Sequence, residues 1–443
     1  DVPKMIEFTF PSHLPIRPGQ RIALINGSVF DGSGAAVVPA DVVVRGSTIE
    51  SVRVGGGTEP LPGDHVVDCT GLTVMPGLVE SHCHLTFPSA LGHIDPSFNP
   101  PLDVSFFHHP PTPDGLLEIA KRNARVLLDR GFTSAYSAGS LTPAPTEVAL
   151  RDEIAAGTAP GPRMRAASFE RDNAPMQMGP DGPRPRETGP AALRAFIAEQ
   201  AAIGFDSVKL LLSNDDVFFD GGSMVTQYSQ EEAAAAGEQA RESGVWLNCH
   251  AQNPESIKLA VRNGFRSIYH CSYADDEAVD LLEEAKDSIF LSPAVGIMWA
   301  NVYEGEEFGI DRAQAERMGS VRSLEAMTAL YPELRRRGLR VLPGGDYGFP
   351  NNPIGRNARD LGLFVEVFGY RPLEALRAAT YYGGLVLDMP VGLLAPGYLA
   401  DILVVSGSPT TDVTVLENPE NLVAIMQGGR FHKRATRLAI ENA

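Results

Sequence analysis

A chain of 443 residues with 43% hydrophobic and 21% charged content has the composition of a folded globular protein, long enough for a large core plus an accessory domain. Its formal charge of −18 argues against a nucleic acid or an anionic membrane as partner. No apolar run reaches membrane-spanning length, residues 1–20 lack the apolar centre of a signal peptide, and four cysteines without a CxxC pair suit a reducing cytoplasm, so the expected location is cytoplasmic.

Residues 20–72 read as short strands, Arg21–Asn26, Val29–Phe30, Val37–Arg45 and Ile49–Val54, divided by Gly, Asp, Ser and Pro clusters. Strand-like stretches return at the far end, in Ala400–Val405 and Leu422–Met426. Neither terminal piece can cover two faces alone, so the economical arrangement pairs them in one β-sandwich. Between them, strand and helix patterns alternate. Candidate strands are Leu72–Val79, Phe132–Ser137, Arg163–Ser168, Ser207–Leu212, Val245–Ala251, Ser267–Ser272, Ile289–Val295 and Arg340–Gly345. Helical patterns include Leu116–Leu128, Ala191–Ala202, Ser229–Ser243, Ser256–Asn263, Asp275–Glu284, Arg312–Arg337 and Leu373–Leu387, with Ser229 to Glu232 spaced as a capping box. Eight strands with crossovers predict an α/β chain: a (β/α)8 TIM barrel at 73–388 with a small β-sandwich built from 1–72 and 389–443, a doubly wound open sheet being the runner-up.

Chemistry in such a barrel sits at the C-terminal ends of strands. The run Val74 to Leu85 ends in His82-Cys83-His84, and in a strand both imidazoles share one face, where they can hold one metal. Alone the pair is weak, since 10 histidines in 443 residues give about 0.2 such pairs by chance. Its company strengthens it. Lys209 interrupts the apolar strand Val208 to Leu212, an expensive burial that needs a reason. His250, His270 and Asp346 each end a further candidate strand. Four long loops, 86–114, 169–189, 213–227 and 296–310, read as lids or binding loops without secondary structure of their own and carry Phe, Met, Trp and Tyr.

The order His-x-His, Lys, His, His, Asp on strands one, four, five, six and eight resembles the metal-dependent amidohydrolase superfamily, in the subgroup with a carboxylated lysine between two metals. The lead-in Val67 to Gly77 and the return Pro396 to Asp401 resemble the family's flanks, closest in style to its imidazolonepropionase and Xaa-Pro dipeptidase branch and to molinate and phenylurea hydrolases. Glu80, Gln252, Tyr269 and Gly345 stand where the family commonly carries Asp, His, Glu and Thr. The resemblance implies that His82, His84 and Asp346 hold the more buried of two divalent cations and His250 and His270 the second. Lys209, as a carbamate formed with CO2, would bridge them. Zinc is the first choice, with manganese, cobalt or iron fitting the same ligands.

It further implies Asp346, Lys209 and His270 as catalytic groups, metal-activated hydroxide as the nucleophile, and homo-oligomeric association. The expected activity is cleavage of a C–N bond in an amide, urea or carbamate of a small, apolar or aromatic substrate. The alternatives are a dipeptidase or carboxypeptidase on N-acyl amino acids, for which Arg165, Arg171 and Arg356 are candidate carboxylate clamps, a lactone or ester hydrolase, and a barrel that keeps its metals without turnover.

Overall fold

A computed structural model describes residues 8–9, 19–100, 102–179, 182–435, 438 and 440–442, so most of the stretch 1–20 read for a signal peptide lies outside the described residues. The chain forms two compact units. One comprises Asp1–Glu80, Leu127–Ser134 and Phe364–Ala443, the other Ser81–Val126 and Ala135–Leu363.

In the first unit both ends of the chain meet in one ten-stranded sheet. Its main path runs Phe8–Thr9, Arg430–Ala435, Leu422–Gln427, Ile402–Ser406, Leu72–Pro76, Arg21–Val29, Val38–Arg45 and Thr48–Val54. The seam between the ends is the antiparallel pairing of Ile402–Ser406 with Leu72–Pro76, Leu403 standing opposite Met75. β-Branched residues dominate the interior of these strands, and Val42, Val44, Val74, Val404 and Val423 pack in one cluster with Ile49 and Phe431.

The second unit carries parallel strands. Ser207–Leu211, Trp246–Ala251, Ser267–His270 and Phe290–Ser292 form a four-stranded parallel sheet. A three-stranded sheet orders Leu78–Cys83, Phe132–Ser137 and Arg163–Arg165. Single parallel bridges continue the sequence of neighbours from Ala167 to Ser207, from Leu291 to Val341 and from Tyr347 to Cys83. Every residue of Leu78–Cys83 and Phe132–Ser137 is buried, as strands covered on both faces require. Helices intervene with the expected signals: Ser229 and Glu232 make a reciprocal capping box, and Asp275 caps Asp276–Glu284 through the Ala278 N–H. Among the described residues no helix is long and apolar enough to cross a membrane.

Several expected elements are divided. The strand Leu72–Val79 breaks at Gly77 into Leu72–Pro76 and Leu78–Cys83, which join different sheets. A Cβ at Gly77 would lie 2.0 Å from Thr133 Oγ1, so only glycine passes there. The single helix expected at Arg312–Arg337 is two, Arg312–Arg317 and Ser320–Arg336, because Gly319 turns at φ 71° against the Asp216 carboxylate. Leu373–Leu387 likewise splits at Thr380 into Pro372–Ala379 and Tyr381–Leu387. The stretch 296–310, expected as a loop, folds largely as the helix Val295–Trp299, a π-helix at Ala300–Glu304 and a 3-10 turn, and 169–189 contains the hairpin Met176–Gly179 with Gly182–Pro185. Arg340–Gly345 forms no strand and is held by a single parallel bridge, Leu291 to Val341, rather than a continuous ladder.

Lys433 is buried in the strand Arg430–Ala435, where desolvation pushes its ammonium down to about 8. The unfolded chain therefore holds a proton between that pH and about 10.5 that the folded chain has released, and stability rises with pH across this window. Lys433→Met is expected to gain about 1 kcal/mol at pH 7. The gain should shrink toward zero by about pH 10.5, measured by urea unfolding of both proteins; a gain independent of pH would contradict it.

Candidate metal centre

His82 lies in the strand Leu78–Cys83 and His84 just past its end, both buried. The His84 Nδ1 is 3.0 Å from the Gly139 carbonyl. A carbonyl only accepts, so Nδ1 carries the proton and Nε2 presents a lone pair. That Nε2 faces Asp346 Oδ1 at 3.0 Å, while His82 Nε2 lies 3.6 Å from the same oxygen. Ligand atoms of His82, His84 and Asp346 all fall within 4.8 Å of one another. His270 Nε2 approaches Asp346 Oδ2 at 4.0 Å, and its ring packs against His250 with centroids 4.3 Å apart.

Lys209 stands apart from this geometry. Its Nζ donates to the Ala138 carbonyl at 2.6 Å and to Glu170 Oε1 at 2.8 Å, and lies 4.7 Å from the centre of the Tyr269 ring. Glu170 in turn is 3.9 Å from His84 Nε2, so an ion pair connects the lysine to the imidazoles. Gly139 permits this approach: at φ 136° it leaves the space that a Cβ would take from Glu170 Cγ and Lys209 Cγ. All six expected residues, with Glu170 and Asp215, line one cavity of about 140 Å³.

Burial sets the electrostatics. Desolvation pushes the imidazoles of His82, His270 and His250 below the ordinary range, reinforced for the first two by their cationic neighbours. The neutral form of each is favoured, and a neutral imidazole has one nitrogen that can accept. For His84 burial also opposes the charge, but Glu170 and Asp346 outweigh it and raise the ring's affinity for a proton. Glu170 is lowered despite its burial, because Lys209 and His84 favour its charged form.

Four buried imidazoles, one with its tautomer fixed by a carbonyl, and a carboxylate common to three of them form a nitrogen and oxygen donor set of the kind divalent transition metals take. His270 Nδ1 is buried without a hydrogen-bond partner among the described residues, a cost that goes unanswered by protein groups. The residues His82, His84 and Asp346 thus fit a cation.

Residues beyond the expected set shape the site. A buried polar ladder runs from Tyr136 Oη to Ser207 Oγ, on to Asn248 Oδ1, and from Asn248 Nδ2 to Tyr269 Oη, at 2.8, 2.8 and 3.1 Å. It holds the Tyr269 ring, on which His82 stacks at 4.0 Å. Ser207 and Asn248 precede Lys209 and His250 by two residues, so the alternation of strand faces signals them. Glu170 follows the candidate strand 163–168 and obeys the same strand-end rule. Asp215, 3.6 Å from His250 and accepting from Gln252 Nε2 at 2.9 Å, lies in a loop where no periodicity points to it. Of the three arginines considered as clamps, Arg165 pairs with Asp206, Arg171 donates to the Glu187 carbonyl and Arg356 pairs with Glu304, and none lines the cavity.

Residues 73–431 match the model of the amidohydrolase family, and the chain belongs to that family. It is 26% identical to the ochratoxinase of Aspergillus niger over 255 residues, which cover 57% of this chain and 51% of that one, so the match spans about half the length of that relative. It is 24% identical to the imidazolonepropionase of Rubrobacter xylanophilus across 88% of this chain and 90% of the other. Its fold is that of a Xaa-Pro dipeptidase structure with bound methionine, at a TM-score of 0.78 and 23% identity over 93% and 99% of the two chains.

Cation binding to the folded state alone stabilises by about 2.7 kcal/mol at a hundred times Kd. Thermal unfolding with and without zinc or manganese is expected to show that gain in the native protein and to show little of it in Asp346→Ala; equal gains would detach Asp346 from the cation.

Proposed function

We propose that this protein is a metal-dependent hydrolase of C–N bonds, acting on an amide, urea or carbamate whose substituents are apolar or aromatic. The parallel strands, joined in order by the bridges at Ala167, Val341 and Tyr347, are read as a closed (β/α)8 barrel over 73–388, and the terminal sheet over 1–72 and 389–443 as a sandwich. Strands as far apart in its ladder as Thr48–Val54 and Arg430–Ala435 share one apolar cluster, which supports that reading. The observation that carries the functional reading is the meeting of His82, His84 and Asp346 in a buried cavity that His250, His270 and Lys209 also line. Family membership and the likeness to ochratoxinase and imidazolonepropionase support it.

His82, His84 and Asp346 would hold one cation and His250 and His270 the other, with Lys209, once carboxylated by CO2, as a further anionic ligand. Bound there, zinc or a related divalent ion supplies Lewis acidity and lowers the pKa of water. Asp346 takes the proton of the attacking water and passes it to the leaving nitrogen. His270 sits beside that carboxylate, 4.0 Å away, and keeps it oriented. Glu170 holds Lys209 in place while the lysine is still an amine.

The cavity supports an uncharged substrate. Phe87, Phe107, Phe349, Met298 and Met318 line it, no arginine among the described residues does, and Lys209 pairs with Glu170. A free substrate carboxylate would find no protein cation to hold it, which disfavours the peptidase alternative. Its volume of about 140 Å³ suits one aromatic ring, a cavity of similar size being enough for benzene.

Purified protein is expected to carry about two cations per chain when prepared with bicarbonate, fewer without it, and fewer still as Lys209→Ala, by metal analysis against protein concentration. A ratio unmoved by both changes would remove Lys209 from the site. Turnover of neutral aryl amides, ureas and carbamates is expected to exceed that of dipeptides with a free carboxylate by about tenfold or more in kcat/KM; the opposite order would restore the peptidase reading.

A further inference from the structure

Asp346 occupies a backbone conformation the chain must enforce. Its φ is 61°, in the left-handed region that costs a non-glycine residue about 1 kcal/mol or more. Gly344 and Gly345 before it have no room to change: a Cβ on the first would lie 2.4 Å from Ser292 Oγ, and on the second 2.6 Å from Asp360 Oδ1. Asp360, wholly buried at the start of the helix Arg359–Glu366, spans the turn. Its Oδ2 accepts the Gly344 N–H at 3.0 Å and its Oδ1 the Tyr347 hydroxyl at 2.6 Å. One carboxylate thus grips residues on either side of Asp346. Asn352 Nδ2 adds bonds to the carbonyls of Gly345 and Asp346 at 2.7 and 3.0 Å, and the Asp346 N–H reaches the His82 carbonyl at 3.0 Å.

We propose that Asp360 is a positioning residue for the metal centre: by clamping Gly344 and Tyr347 it fixes Asp346 in the left-handed turn that aims its carboxylate at His82 and His84. The inference rests on the cation-binding reading above. A carboxylate only accepts, and each oxygen of Asp360 already faces a donor. In Asp360→Asn one oxygen becomes an NH2 group: toward Gly344 it meets an N–H, and toward Tyr347 it can only donate to a hydroxyl that must turn its own proton away, so the shape survives and the charge-assisted grip is weakened. Tyr347→Phe removes one bond and leaves the other.

The test is chelator-competition titration of zinc or manganese at a temperature well below melting, with circular dichroism to check the fold. Asp360→Asn is expected to weaken the tighter cation by about ten- to a hundredfold and Tyr347→Phe by less, with the weaker cation's affinity unchanged. A general loosening of the fold would move both affinities and the melting temperature together. Asp346→Asn is the control: if it keeps native affinity the cation reading fails, whereas if it loses the cation and Asp360→Asn keeps it, the clamp fails. Should Asp360→Asn not fold, Tyr347→Phe decides, and native affinity in that variant overturns the proposal.

Discussion

The second unit is organised by the cost of crowding ionisable groups in a dry space. Four imidazoles, a lysine and three carboxylates share one cavity, the imidazoles and the lysine buried, and charge held there without partners costs several kcal/mol per group. The chain limits that cost in two ways. It lets imidazoles stay neutral, and it pairs Lys209 closely with Glu170. The same neutrality leaves imidazole nitrogens able to accept rather than donate, so the side chains that set the cost of burial are the ones a cation would use.

That shared role explains where strain collects. Of the six described non-glycine residues at positive φ, His270, Cys271, Ala294 and Asp346 lie at or just past observed or expected strand ends of the second unit, and two of them carry site side chains. A strand leaves successive side chains on alternating faces, which by itself brings few donors to one point. Bending the backbone sharply at the last residue re-aims a side chain across the cavity, and surrounding hydrogen bonds make the bend affordable. Tyr331 Oη on the His270 carbonyl and Asn352 on the Asp346 carbonyl are such supports.

Much of this was legible in the sequence because the chemistry-bearing residues interrupt apolar strands. Lys209 and His250 lie in strands with buried neighbours, and a polar residue in such a run stands out. The seam between the chain ends was legible because each end is too short to cover two faces. What escaped was decided by contacts distant in sequence. The break at Gly77 depends on Thr133, and that at Gly319 on Asp216, and no local pattern encodes either. Asp215 falls in a loop, where the period that betrays a buried face is lost. The helical character of 295–304 was hidden by its mixture of glycine, aromatic and β-branched residues, which weakens helix propensity locally and is overridden by burial.

The left-handed backbone at residue 346 narrows the alphabet there. Glycine, asparagine and aspartate tolerate that conformation best, since a short polar side chain can bond locally or has no Cβ to clash. Among these three, aspartate alone is anionic. Glutamate, the usual conservative exchange for an acid, adds a methylene to a side chain whose direction is already set by the bend. The turn thereby acts as a filter on descent and on engineering alike: a chain that keeps this corner has one residue to choose if it is to keep a negative charge at its apex.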